Sequence, residues 1–136
     1  MKMEIDKLCE GGVWSGGAAH EALEACELIM GMRFPDDYRH FILTYGCGSK
    51  SGVEIAGIDN ILISDGNVLT RTILNLREYR HYPKYSVFFS DTGDGGQICF
   101  DSRDWSIHEI YVRPPEGIER NRIADNFYDF LITKFL

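Results

Sequence analysis

Residues 31–48 read GMRFPDDYRHFILTYGCG, and this stretch decides the fold. Gly31 predicts a left-handed residue that ends one helix, and Pro35 suits the first position of the next helix, where its missing N–H costs nothing. Four apolar or aromatic residues follow at the spacing i, i+3, i+4, i+7: Tyr38, Phe41, Ile42 and Tyr45. This spacing predicts a helix with one aromatic stripe facing a core, and Gly46 predicts its end.

Three further segments have helical periodicity: residues 18–30, 67–79 and 123–136. In the first, three glutamates occupy the predicted solvated face: Glu21, Glu24 and Glu27. In the second, the predicted inward residues are Leu69, Ile73, Leu76 and Tyr79. In the third, they are Ile123, Phe127, Phe130 and Leu131. Residues 1–17 have little pattern, and within them the glycine-rich residues 11–17 predict an irregular segment anchored by Trp14.

The strand signals are concentrated in the second half of the chain. Residues 53–58 alternate like a strand, and residues 61–63 extend or follow it. The apolar run at 87–89 indicates a central strand covered on both faces, and residues 97–101 and 107–112 predict the next two strands of an antiparallel meander. The glycine- and serine-rich residues 46–52 predict a solvent-exposed loop.

Composition restricts the class of protein. The 136 residues suit one domain, 1–136, and their net charge is −7. An acidic chain without a basic stripe is a poor nucleic-acid binder, so a partner steered by charge would be basic. The longest apolar runs fall short of the roughly 20 residues that a membrane-spanning helix needs. The polar N-terminus does not resemble a signal peptide, so we predict a cytoplasmic protein that neither binds nor crosses membranes.

The polar residues and cysteines lack the spacing that most metal-binding and catalytic motifs require. The four cysteines include no C-x-x-C pair, and the four histidines lack metal-ligand spacing, so we predict free thiols, no metal site and no cofactor. The acidic turn segments contain Asp91, Asp94, Asp101 and Asp104. Glycines occupy the positions where a calcium loop needs ligands, and Asp-Gly pairs suit tight turns for backbone reasons. Acid–base catalysis by Asp91, Asp94 and Asp101 remains an alternative that requires these groups to converge.

The order of motifs resembles the SUKH superfamily, which includes fungal Smi/Knr cell-wall regulators and many bacterial immunity proteins. The resemblance begins at the helix that contains residues 22–24 and is carried by residues 34–42 and 45–48; it continues through 54–58 and 93–101 and ends at 127–131. The residues that carry its structural signature are Phe34, Pro35, Tyr38, Phe41, Gly46 and Gly57. It implies an α+β fold, in which a mixed or largely antiparallel sheet with a C-terminal β-meander packs against helices.

The resemblance also implies a function. Bacterial relatives are typically cytoplasmic antidotes that bind a cognate toxin, often a nuclease, and they do no chemistry. We therefore predict a non-enzymatic protein that binds a toxin domain with a basic cleft, and the alternative is a regulatory scaffold of the cell-wall type. The residues that we predict to contact the partner are Asp91, Asp94, Asp101, Asp104 and Glu54. The oligomeric state stays open at this point.

Overall fold

The computed structural model describes residues 2–59, 66–79, 81–113, 115 and 117–136. The helices among them are α1 Lys2–Cys9, α2 His20–Met30, α3 Asp36–Tyr45, α4 Val68–Glu78 and α5 Phe127–Phe135. The strands are β1 Val13–Trp14, β2 Gly48–Lys50, β3 Val53–Ile55, β4 Ser86–Asp91, β5 Gln97–Asp101, β6 Ile107–Arg113 and β7 Gly117–Ala124. They form two antiparallel sheets, ordered β1-β2-β3 and β4-β5-β6-β7. The α+β prediction is confirmed.

Helix α3 supplies the centre of the core, as its aromatic spacing predicts. The Tyr38 ring is fully buried and lies within 6.3 Å, centroid to centroid, of five other rings: Phe34, Phe41, Phe89, Phe100 and Phe127. The Tyr38 hydroxyl donates to the Ala56 carbonyl oxygen at 2.6 Å. Tyr38 therefore ties α3 to the residue that follows β3. Pro35 lies one position before the helix, at its N-cap, and not at the first helical position.

Two glycines of the predicted signature allow the end of α3 to contact the segment after β3. Gly46 has φ 77° and ends α3, and its carbonyl oxygen accepts from the Ile58 N–H at 3.1 Å. A Cβ on Gly57 would lie 1.8 Å from that oxygen, far inside van der Waals contact. The backbone approach at this point requires residue 57 to have no side chain.

The structure corrects the predictions for residues 1–17 and 46–52. Residues 2–9 form α1, and Trp14 belongs to β1, which pairs with β2 through Val13–Ser49 and Trp14–Gly48. The predicted loop at 46–52 is therefore partly a strand. The prediction that Trp14 anchors this region is confirmed, because its ring packs edge-on against Phe41 at 5.3 Å. Short strands of this kind give no periodicity for a sequence pattern to detect.

Glu27 is not on the solvated face that its helical position predicts. Its side chain is buried, and it accepts from the Phe34 N–H and from Arg39 Nη1, each at 2.7 Å. The carboxylate therefore joins α2, the turn after it and α3. A buried carboxylate is tolerated here because it has both a cation and a backbone donor.

The C-terminal meander has one more strand than predicted. β7 occupies residues 117–124, and α5 begins only at Phe127, where the Asn126 side chain caps it by accepting from the Asp129 N–H at 2.8 Å. Ile123 is therefore in a strand. β4 lies at the edge of its sheet and not at the centre, although both of its faces are buried. The predicted strand residues 61–63 lie outside the described residues.

Candidate partner-binding groove

An open groove lies where the two sheets meet, between β3 and β4. The Ala56 N–H donates to the Phe89 carbonyl oxygen at 2.7 Å, and the Ser90 hydroxyl donates to the Glu54 carbonyl oxygen at 2.5 Å. The two strands do not pair along their length, so the Ser90 side chain supplies the second hydrogen bond between them. The groove beside them has a volume of about 550 Å³. Apolar side chains contribute to the wall: Val13, Ile55, Phe88 and Phe89.

The charged groups of the groove come from three elements. The Glu54 side chain on β3 and the Asp91 side chain at the end of β4 are exposed, and both residues line the groove. Arg71 of α4 lies on the groove wall with its guanidinium carbon 4.6 Å from the Phe88 ring centroid. Two of the five predicted partner-binding residues therefore lie on one concave surface, together with a cation that the sequence did not single out.

Asp94 lies in the turn that joins β4 to β5, close to the groove but outside its lining. Its carboxylate accepts from the Thr92 hydroxyl and from the Tyr111 hydroxyl, the latter at 3.0 Å. These hydrogen bonds, the Thr92 bond most strongly, hold the pKa of Asp94 below its usual range. Asp94 is exposed and ionised, and its orientation is set by the turn.

Asp101 and Asp104 lie at the other end of β5, roughly 13 Å along the strand from its start at about 3.3 Å per residue. Buried Asp101 accepts from Arg103 Nη2 at 2.8 Å and from Arg120 Nη2 at 2.5 Å. Asp104 accepts from Ser106 and lies 3.8 Å from Arg122. The sequence predicts one acidic cluster, but the structure separates it into two groups, and arginines neutralise this second group.

Ser106 and His108 are the nearest approach to a nucleophile and base among the described residues. The Ser106 hydroxyl donates to Asp104 Oδ1 at 2.6 Å and lies 2.8 Å from His108 Nε2. Ser106 is almost fully buried, and desolvation lowers the pKa of His108. In a catalytic triad the carboxylate orients the histidine, but here it binds the serine proton instead. The arrangement stabilises the turn between β5 and β6.

Comparison with known proteins decides the family. The family model SUKH_6, described as SMI1-KNR4 cell-wall, matches residues 20–131. The chain belongs to the SUKH superfamily. No curated protein sequence matches it.

The residues of the SUKH signature and those of the groove play different parts. Tyr38 and Gly57 form the contact between α3 and the segment that follows β3, and the groove opens beside this contact. Sequence patterns find the signature because it consists of aromatic spacing and glycines. Arg71 was missed as a groove residue, because its position on α4 indicates only a solvated arginine.

The residues that the structure describes contain neither a metal-binding cluster nor a membrane-spanning helix. Across the ranges 2–59, 66–79, 81–113, 115 and 117–136, no three His, Cys, Asp or Glu side chains lie close enough to hold a metal ion. In the same ranges, no helix has the length and apolar character needed to cross a bilayer. The four cysteines are free and buried, as predicted. Cellular location stays a prediction.

Asp101 should make the stability of the protein depend on pH. The arginine hydrogen bonds, that of Arg103 first, lower the pKa of Asp101 far below its unfolded value of about 3.9. A lowered folded-state pKa contributes stability above the unfolded value, and this contribution is lost as the pH falls. We expect Asp101→Asn to lower the free energy of unfolding by about 1–3 kcal/mol at pH 7, because the three hydrogen bonds from Arg103 and Arg120 lose their carboxylate charge and those to Oδ2 lose their acceptor. The difference from the wild type should shrink towards pH 3.

Urea unfolding at pH 7 and pH 3 measures this difference. The matched control is Asp36→Asn, which removes an exposed carboxylate that lies 3.7 Å from Arg33; its effect should be small at both pH values. A stability difference for Asp101→Asn that is the same at both pH values would contradict the assignment.

Proposed function

We propose that this SUKH protein is an immunity protein, which binds a toxin domain at the groove between β3 and β4 and blocks it without catalysis. The observation that carries the proposal is that Glu54 and Asp91, both exposed, lie on the two strands that border one concave surface. A basic cleft, of the kind that holds nucleic acid in a nuclease, would complement these carboxylates.

The state of the other carboxylates supports the choice of this surface. Asp101 and Asp104 are paired with arginines, so their charges are largely cancelled within the chain. Glu54 and Asp91 have no cation within ion-pair distance among the described residues. A carboxylate that is not paired with a cation of its own chain attracts a basic partner, whereas the charge of a paired carboxylate adds little to that attraction.

The groove also has the mixed character of a protein-binding surface. Its apolar wall offers contact area, and its charged border offers orientation, as at interfaces with an apolar centre and a polar rim. The hydrolase alternative requires Asp91, Asp94 and Asp101 to share a cleft. The structure places Asp101 at the far end of β5 from the other two and holds it with two arginines.

Co-expression with the protein encoded by the neighbouring gene, taken as the candidate toxin domain, tests the proposal directly. We expect the chain to restore growth and to form a stable complex with that domain. Growth arrest that persists although the chain is expressed and folded, together with the absence of a complex, would overturn the proposal.

Charge reversal tests the surface. The double variant Glu54→Lys/Asp91→Lys should weaken toxin binding by at least about 100-fold at low salt, because each substitution turns attraction into repulsion. The matched control is Glu21→Lys/Glu24→Lys, which makes the same charge change on the exposed face of α2. Isothermal titration at two salt concentrations measures both. Equal weakening by the two double variants would mean that net charge acts without a defined site.

A further inference from the structure

Much of the contact between helix α4 and the four-stranded sheet is polar. Three residues of the helix are buried, and only the first of them is apolar: Val68, Thr72 and Asn75. The sequence pattern predicts inward positions for Ile73 and Leu76, but these side chains are 42% and 40% exposed. The prediction is wrong for these two residues, because polar groups of α4 occupy the face that meets β4 and β5.

Two side-chain hydrogen bonds connect the middle of α4 to the sheet. The Phe88 N–H donates to Thr72 Oγ1 at 3.0 Å, and Gln97 Nε2 donates to Asn75 Oδ1 at 3.0 Å. The second pair is incomplete, because Asn75 Nδ2 and Gln97 Oε1 are buried and have no hydrogen-bond partner in the part of the chain that the structure describes. A buried polar group without a partner costs about 1–3 kcal/mol, so this contact holds the helix weakly.

The two ends of α4 have contacts of a different kind. The Val68 side chain is fully buried, and the Val68 N–H donates to the Gly57 carbonyl oxygen at 2.8 Å. The buried Asn67 side chain caps the first turn of the helix. After the helix, the Tyr79 ring stacks on the Tyr82 ring at 5.8 Å, centroid to centroid. The helix is therefore anchored at its start, and the incomplete polar contact lies between the two ends.

We propose that residues 69–78 form a flap, which opens from the sheet while the rest of the chain stays folded, because the polar contact below it is incomplete. A segment opens at low free-energy cost when it loses few apolar contacts and when opening returns unpaired polar groups to water. Here opening hydrates Asn75 Nδ2 and Gln97 Oε1. Arg71 moves with the flap, and its guanidinium lies over the Phe88 ring on the wall of the groove. Opening therefore widens the groove on its α4 side.

Native-state hydrogen exchange of the purified full chain tests the proposal without any variant. The amides of residues 72–78 in α4 are expected to have protection factors at least about tenfold lower than the amides of residues 40–45 in α3, because α4 opens without global unfolding. Equal protection of the two helices would overturn the proposal.

Two variants separate the effect of the polar contact from that of helix propensity. Asn75→Leu/Gln97→Met replaces both amides by apolar side chains of similar size, and it should raise the protection of residues 72–78 at least about fivefold, because no side-chain amide is left unpaired. The matched control is Asn75→Leu alone. It gains the same helix propensity but leaves the Gln97 amide without its partner, so protection should rise much less.

The amides of α3 report global unfolding in both variants and show whether each is folded. Equal protection of α4 in the single and the double variant would overturn the proposal, because the polar contact would then not set the opening of the flap. The toxin-binding proposal stands apart from these results, since it is tested by rescue and complex formation.

Discussion

Replacing Gly57 by alanine is expected to lower the free energy of unfolding by about 3–4 kcal/mol, near the upper end of single-residue effects. The added Cβ would lie 1.8 Å from the Gly46 carbonyl oxygen. The backbone cannot easily move away, because the Gly57 N–H donates to the Gly66 oxygen at 2.9 Å and the Gly57 oxygen accepts from the Val68 N–H at 2.8 Å. The clash therefore strains the junction of α3, β3 and α4.

Urea unfolding of Gly57→Ala and of a control, Gly52→Ala, measures the effect. Gly52 has φ +78°, and a Cβ there would meet nothing within 4 Å. The control therefore pays only the cost of a left-handed backbone, about 1–2 kcal/mol. A loss for Gly57→Ala no larger than that for Gly52→Ala would show that the close approach of residues 46 and 57 is not tightly constrained.

The second large effect is expected at Tyr38. Tyr38→Ala should cost about 3–5 kcal/mol, because it removes a fully buried ring from the centre of the aromatic core. Tyr38→Phe should cost about 1–3 kcal/mol, because it keeps the ring but leaves the buried Ala56 carbonyl oxygen without its 2.6 Å donor. The pair of variants separates the contribution of packing from that of the hydrogen bond.

Thermal and urea unfolding measure the Tyr38 effects, and Tyr85→Ala is the control. Tyr85 is half exposed, and its ring lies under the Arg103 guanidinium at 4.5 Å. Its loss should cost less than about 1 kcal/mol. If Tyr38→Phe were as stable as the wild type, the hydroxyl bond to Ala56 would not be important for joining α3 to the strand edge.

Local patterns predicted those parts of the fold whose stability comes from neighbours in the sequence. The helix at residues 36–45 has its aromatic stripe, its N-terminal proline and its final glycine within one short stretch. The hairpin turn at residues 91–96 has its Asp-Gly signal, and Gly93 and Gly95 adopt positive φ. In each case the physical cause lies within a few residues, so a single sequence is sufficient to detect it.

The candidate site was predicted only in part, for the same reason. Asp91 and Glu54 were identified as acidic, but no local pattern shows that β3 and β4 meet beside them. Asp101 was assigned to the same group, yet its charge is cancelled by Arg120, which lies 19 residues later in β7. Because the sequence pattern did not predict β7, it could not indicate the ion pair between Asp101 and Arg120.

The sequence alone is sufficient for the SUKH family, the α+β class, the aromatic centre on α3 and the acidic balance, because these follow from spacing and composition. Only the tertiary structure decided which carboxylates keep their charge and which face of α4 is buried. Both outcomes depend on hydrogen bonds between distant segments, such as Phe88 N–H to Thr72 and Arg120 to Asp101. Where a polar group would otherwise be buried without a partner, such bonds decide which face of a helix is buried, even against the spacing of its apolar residues.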